Sequence, residues 1–407
     1  MGLLFKDDLH DEFGTWPLGY IPTGGADYGE VRAVAAAVGD GDDAAFCDAW
    51  CAAADRLAAE AAEDEAAGRR ASARDGWLRA ACFYGAAYHP IFGAPVNPRL
   101  LAAFAKQIAA FDRGLALGEP AVTPMGIPLG DLTMPAYLLR AEGRAAATRP
   151  LLILTNGYDG TVTDMYFASA VAAARRGYHV LVFDGPGQGG PLYEQGVPLR
   201  PDWETVIAAV VDAALELPGI DPRRIALSGW SLGGHLAARA ATGEHRLAAL
   251  ILDPALWSMV AGFIPLAAKL GIAVDASTNL ADLDEATLSR LNAANRGQSS
   301  APLELRAARL LGARGPGPAR LSRVGRAVHP RRPGRRDPLP DAAGGGRRRH
   351  PLGVGAEGDG RALLPKDADP VHPRRGGGRP LRDDEPLAPE PPHARLVRCG
   401  AGGGVIN

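Results

Sequence analysis

The sequence predicts an α/β fold: a parallel sheet with helices on both faces, preceded by a helical region. Two patterns predict it. Apolar runs of four to six residues alternate with amphipathic helical stretches through the middle of the chain, and a Gly-x-Ser-x-Gly string lies at one run-to-helix junction. A third observation bounds the fold, because past about residue 300 the composition stops resembling that of a packed domain.

The first 115 residues read as a helical domain. Phe46, Trp50, Ala53 and Leu57 recur at helical spacing, as do Trp77, Ala80, Ala81, Tyr84, Ala87 and Tyr88, with Gly68 marking the turn between the runs. Asn97-Pro98 has the form of an N-cap and first helical residue, opening a helix through Leu101, Phe104 and Ile108. Such stripes are first of all core. A surface that also lines a substrate pocket is the second reading.

Residues 116–300 change period. Val122 to Ile127 and Leu132 to Leu139 read as a strand pair. Leu151 to Leu154 is a buried strand ending at Asn156-Gly157, and Tyr178 to Phe183 is another, ending at Asp184-Gly185-Pro186-Gly187. Ile225 to Leu227 and Ala249 to Leu252 follow, with helical patterns between them.

Bulk properties narrow the function. A chain of 407 residues with 47% hydrophobic content has material for a substantial core. A formal net charge of −2 gives no footprint for nucleic acid or an anionic membrane. No apolar run approaches the roughly 20 residues of a membrane span. The opening decapeptide, with Lys6, Asp7 and Asp8, is not a secretory signal. Cys47, Cys51, Cys82 and Cys399 are too few and too scattered for a disulfide framework; Cys47 and Cys51, one helical turn apart, read as helix packing rather than a metal pair. A cytoplasmic protein without metal or cofactor is expected.

The chemistry is concentrated in Gly229-Trp230-Ser231-Leu232-Gly233. A strand that turns directly into a helix strains the central residue and needs small neighbours. In return it exposes the serine hydroxyl at the carboxyl edge of the sheet, beside a helix N-terminus that favours developing negative charge. Ser231 is the expected nucleophile and the Leu232 N–H one oxyanion donor. The second donor is expected from the loop after Leu154, where Gly157 lets the backbone approach the substrate and Tyr158 offers its N–H. Asp184 to Gly190 follows a strand and invites comparison with a dinucleotide loop. It lacks the Gly-x-Gly-x-x-Gly spacing before a helix, because Pro191-Leu192-Tyr193 intervenes, so a nicotinamide oxidoreductase is the rival class.

Four segments together resemble one subfamily of α/β-hydrolases: Trp77 to Tyr84, Asn156 to Thr161, Phe183 to Gly189 and Asp221 to Gly234. The chain is similar over roughly residues 10–295 to the dihydroxypseudooxynicotine hydrolases and the polyketide-shortening hydrolases of fungal pigment synthesis. That resemblance implies an N-terminal helical cap and a Ser–Asp–His triad in that chain order. It also implies hydrolysis of a C–C bond beside a carbonyl, or of an ester, through an acyl-serine intermediate. A small-molecule ketone or ester is then the partner, with homodimerisation left open. A simple carboxylesterase is the alternative within the class, and a non-catalytic relic or binding protein the alternative outside it.

The triad acid and histidine are not identifiable in this reading frame. Asp359 and His372 follow no strand; His179 begins one; His235 and His245 lie on or beside the helix after Ser231; Asp253 ends a strand, but one strand earlier than the triad acid is expected. Without base and acid a neutral serine is a poor nucleophile.

Residues 301–407 explain the gap. From Gly312 to Asn407, 52 of 96 residues are Arg, Gly or Pro, and no aromatic follows Phe263. Taken literally this is a disordered basic tail, leaving the sheet without its last strands. All three residue types have GC-rich codons, so the region has the composition of a GC-rich gene read out of frame. Moved forward one base, the codons across Arg379 to Asp383 permit Asp-His-Cys-Glu, and those over Gly346 to His350 permit aspartate, in the order of a hydrolase ending. The slip falls between Arg296 and Arg306, where helical patterning gives way to bias. Resequencing the gene is expected to show a one-base slip there; an uninterrupted frame would end the idea.

Overall fold

The computed structural model describes residues 2–93, 95–256, 264–275, 278, 283–284, 286–287, 289–290 and 395–398. The Arg/Gly/Pro-rich tail, Asp359, His372 and the proposed slip lie outside the described residues, apart from the four-residue strand at 395–398.

Five helices come first: α1 (Asp8–Gly19), α2 (Tyr28–Val38), α3 (Asp43–Ala66), α4 (Arg70–Ala87) and α5 (Pro98–Ala116). Four of them start on a side chain that accepts otherwise orphaned N–H groups: Asp7 from Leu9 and His10, Asp27 from Gly29, Asp42 from Ala45, and Asn97 from Arg99. Such a cap contributes about 1 kcal/mol. Gly68, at φ +74°, makes the left-handed turn that folds α4 back on α3. The helical reading of Phe46–Leu57, Trp77–Tyr88 and Asn97–Ile108 is thus matched, caps included.

The sheet follows. A hairpin of β1 (Met125–Leu129) and β2 (Leu132–Leu139) leads into β3 (Arg149–Thr155). Next come α6 (Val162–Met165), one π turn at Tyr166–Ala170, α7 (Val171–Arg175) and β4 (His179–Phe183). Then follow α8 (Gly189–Tyr193), α9 (Trp203–Leu215), β5 (Ile220–Trp230), α10 (Leu232–Ala240), β6 (Ala249–Asp253) and α11 (Ile264–Lys269), with β7 at Arg395–Arg398. The strand order is β1-β2-β4-β3-β5-β6-β7. Strands β4, β3, β5 and β6 are parallel; β1 pairs antiparallel with β2, β2 with β4, and β7 with β6.

Three expectations need correction. The first strand begins at Met125, not Val122, because the Val122 N–H is bonded to Leu115 O at the end of α5 and Pro124 has no N–H to give. The strand before the serine is much longer than Ile225–Leu227, running from Ile220 with a register shift opposite Arg149–Leu151. Pro191-Leu192-Tyr193 is no intervening loop but part of α8, which starts at Gly189 directly after the glycine-rich turn.

Alternation along the parallel strands divides the core. Leu152, Leu154, Val180 and Val182 face a cluster that includes Met165 and Phe167 and continues into the first five helices through Trp50, Phe83 and Phe111. Leu151, Ile153, Leu181 and Phe183 face α9 and α10, packing with Trp203, Val206, Val210 and Leu236. The helical region therefore shares its core with one face of the sheet. Ring contacts carry the join: Tyr20 stacks on Phe167 at 5.8 Å, and Tyr166 meets Phe111 edge-on at 5.3 Å. Deleting residues 1–115 is expected to expose this surface. The truncated protein should aggregate or bind a hydrophobic dye strongly; a soluble, dye-silent product would contradict the shared core.

Candidate active site

Ser231 is at φ +56°, ψ −125°, and among the described residues it alone combines a side chain with positive φ. Holding a non-glycine residue there costs on the order of 1–3 kcal/mol, so the surroundings must enforce it. They do so by close packing. A Cβ on Gly229 would lie 1.9 Å from Gly233 O; one on Gly233 would lie 2.5 Å from Thr155 O; one on Gly234 would lie 2.1 Å from Pro254 O. Each glycine lets backbone meet backbone where β5 becomes α10. The Ser231 N–H donates to Asp253 O at 2.7 Å, so this amide is already bonded to backbone. Ser231 itself is exposed, whereas Leu232 to Ala238 are buried.

The loop after β3 comes to the same place. A Cβ on Gly157 would lie 3.2 Å from Ser231 Cβ and 3.5 Å from Leu232 N, so Gly157, Ser231 and Leu232 converge. The loop is held from within and from below. Gly157 N–H donates to Asn156 Oδ1 (2.9 Å), and Asn156 Nδ2 donates to Thr161 O (2.8 Å). Gln188 Nε2 donates to both Asn156 O and Gly157 O at 2.8 Å, while its Oε1 accepts from Gly185 N–H at 3.0 Å. The glycine-rich turn Asp184–Gly190 is thus a brace for the neighbouring loop. Trp203 Nε1 fixes Thr155 Oγ1 at 3.0 Å. Gln188 and Asn156 fix this loop; the motif strings contain both, but their spacing does not reveal these partners.

The histidines divide cleanly. His179 Nδ1 accepts from Ala141 N–H (2.9 Å) and its Nε2 faces Ala147 O (3.0 Å), so both nitrogens are spent on backbone. His235 bonds Leu256 O through Nδ1 at 3.2 Å, and burial holds its imidazole below the usual range. His245 is exposed. His89, which no motif marks, stacks on Phe13 at 4.9 Å and meets Trp16, which in turn packs 6.0 Å from Trp230 next to the serine. Burial pushes its imidazole down to about 3, too weakly basic to take a serine proton near neutrality. Asp253 reaches the elbow through its carbonyl, and its side chain is exposed. Among the described residues no group of three or more His, Cys, Asp or Glu is placed to hold a metal ion, and no helix is long and apolar enough to cross a membrane.

Residues 44–292 match the family model described as esterase FrsA-like. The chain belongs to the FrsA-like esterase family. Its fold is that of the α/β-hydrolases. This FrsA-like chain is 38% identical over 266 residues to hydrolase acrC of Aspergillus aculeatus, covering 61% of this chain and 62% of that one. It is 37% identical over 243 residues to 20-hydroxy-prefusarin hydrolase FUS2 of Gibberella moniliformis, covering 58% of each. The crystal structure of the 2,6-dihydroxy-pseudo-oxynicotine hydrolase superposes with a TM-score of 0.50 at 26% identity, covering 57% of this chain and 62% of that one. The FrsA-like chain spans about six-tenths of the length of these curated relatives.

Asp184 at the end of β4 is 1% exposed, and neither carboxyl oxygen accepts a hydrogen bond of ordinary geometry. Burial, opposed only by the facing Val162 amide, pushes its carboxyl well above the usual range, and nearby Asp164 adds to the effect. The folded protein therefore keeps a proton that the unfolded chain releases. Stability from this group is complete at low pH and is lost as pH rises through the interval above the unfolded carboxyl value. Asp184→Asn is expected to raise Tm by several degrees at about pH 7, with the gain shrinking to nothing below about pH 4 in thermal melts. A gain that does not depend on pH would contradict the protonated assignment.

Proposed function

We propose that this chain derives from a serine-dependent hydrolase that cleaves a C–C bond beside a carbonyl, or an ester, through an acyl-serine intermediate, with Ser231 as nucleophile. The strained backbone of Ser231 at the β5–α10 junction carries the reading. It matches the geometry in which an exposed hydroxyl attacks a carbonyl held over a helix N-terminus. In this mechanism the Ser231 oxygen adds to the substrate carbonyl, and the Leu232 and Tyr158 N–H groups receive the developing oxyanion. Each such donor contributes about 3–4 kcal/mol to the transition state. The triad base takes the Ser231 proton and returns it to the leaving group as collapse breaks the bond to the carbonyl, leaving the acyl-serine, which water then hydrolyses to the acid and free Ser231. The relatives' names, a hydrolase of 20-hydroxy-prefusarin and one of 2,6-dihydroxy-pseudo-oxynicotine, support a substrate of small-molecule size. The family description supports the second reading, a simple carboxylesterase.

The triad acid and base belong to the ending that the frame slip replaces. That the family match stops at residue 292, just before Arg296, supports this. The helices of residues 1–115 act as the cap over a catalytic domain at 116–300, and the 407-residue chain as written is inactive. In a version with its frame restored, Ser231→Ala is expected to lower turnover by several orders of magnitude with folding intact, and a fluorophosphonate probe to label Ser231 alone. Labelling at another residue, or Ser231-dependent turnover by the unrepaired chain, would count against the reading.

A further inference from the structure

We propose that Gln107, a cap residue, is a positioning residue for the oxyanion loop. It transmits cap docking to the amides beside Ser231 through Thr161. Gln107 sits mid-way along α5, among apolar neighbours, and is completely buried. Its orientation is set by the Tyr88 hydroxyl, which donates to Oε1 at 2.8 Å. The amide nitrogen is thereby turned towards the catalytic domain, where Nε2 donates to Thr161 Oγ1 at 3.1 Å. Space for this amide exists only because residue 85 is glycine, since a Cβ there would lie 2.9 Å from Nε2.

Thr161 is the hub. It closes a capping box with Asp164, whose Oδ2 accepts from Thr161 N–H at 2.8 Å and lies 3.2 Å from Thr161 Oγ1. The second Asp164 oxygen accepts from the hydroxyl of Tyr20, also a cap residue, at 3.4 Å. The Thr161 carbonyl holds the Asn156 side chain, and Asn156 in turn holds the Gly157 amide. Three cap side chains, Tyr20, Tyr88 and Gln107, are therefore connected by consecutive hydrogen bonds to the peptide that precedes Tyr158. All of these groups are buried, so each lost bond leaves an unsatisfied partner rather than a hydrated one. Gln188 braces the same loop from the opposite side through carbonyls. It holds the Asn156–Gly157 and Gly157–Tyr158 peptides by their carbonyls but makes no bond to Thr161, so the cap reaches the loop through Gln107.

The proposal rests on the reading of Tyr158 and Leu232 as oxyanion donors, but its test does not require turnover. Hydrogen–deuterium exchange on the full chain reads the amides of Gly157 and Thr161, both bonded within this network. Gln107→Leu, similar in volume and without polar atoms, is expected to speed their exchange at least tenfold while α3 and β4 keep wild-type protection. Gln107→Glu keeps an acceptor for Tyr88 but loses the amide donor, and should behave like the leucine variant. Unchanged loop protection in Gln107→Leu, or wild-type exchange in Gln107→Glu, overturns the proposal. Where Gln107→Leu destabilises the whole chain, Tyr88→Phe decides: selective loosening of Gly157 and Thr161 supports the relay, and wild-type loop exchange overturns it. Failure of the nucleophile reading would look different, with Ser231 unlabelled in the repaired protein and the exchange pattern as expected here.

Discussion

The packing of three glycines against backbone at the β5–α10 junction is the constraint on which the rest of the site depends. Gly229 lies on the Gly233 carbonyl, Gly233 on the end of β3, and Gly234 on Pro254. With no Cβ at any of the three, α10 can start one residue after β5 ends, and Ser231 is forced into a conformation that a side chain rarely adopts. The same closeness brings the end of β3, and so the Gly157–Tyr158 loop, against the Leu232 amide. The strain at Ser231 and the approach of the Gly157 loop to it are consequences of one packing event.

Around that junction the molecule spends most of its buried polar groups on loop geometry. Gln188 occupies both of its polar atoms with backbone, Asn156 likewise, and Trp203 pins the last residue of β3. A loop with free carbonyls would otherwise hydrate and move, and a donor displaced by even 1 Å loses much of its effect on a transition state. The π turn at Tyr166–Ala170 belongs to the same economy. Its Phe167 carbonyl accepts from Thr23 Oγ1 at 3.0 Å, tying the start of the chain to the helix after the loop.

The helical region is accordingly more than a cover. Its aromatic residues merge with the core on one sheet face, its polar residues reach Thr161 and Asp164, and Trp16 meets Trp230 beside the serine. Two of the buried carboxyls, Asp164 and Asp184, lie in the segments after β3 and β4. Asp164 is satisfied by Thr161 and Tyr20, whereas burial pushes the Asp184 carboxyl well above the usual range, and Gly189 leaves room for it.

The local signals in the sequence were sufficient for the helices, the buried strands and the serine, since periodicity, cap residues and a glycine-flanked turn are all contained within a few neighbours. Asn97-Pro98, Gly68 and Gly229–Gly233 each act through their own backbone, so they can be read without a fold. The strand boundaries were less legible: Val122 is drawn off by α5, and Ile220 to Arg224 join β5 through pairing with β3 rather than by any pattern of their own. Gln107 was invisible, because a single amide in an apolar helical stripe acquires meaning only from Tyr88 and Thr161, 19 residues before it and 54 after. His89 likewise needed the fold to reveal that burial makes it neutral. The sequence by itself determined which backbone could strain and where a hydroxyl would be presented. Only tertiary structure decided which distant side chains hold the loop opposite it, because a hydrogen bond between elements depends on how they pack and leaves no period in the chain.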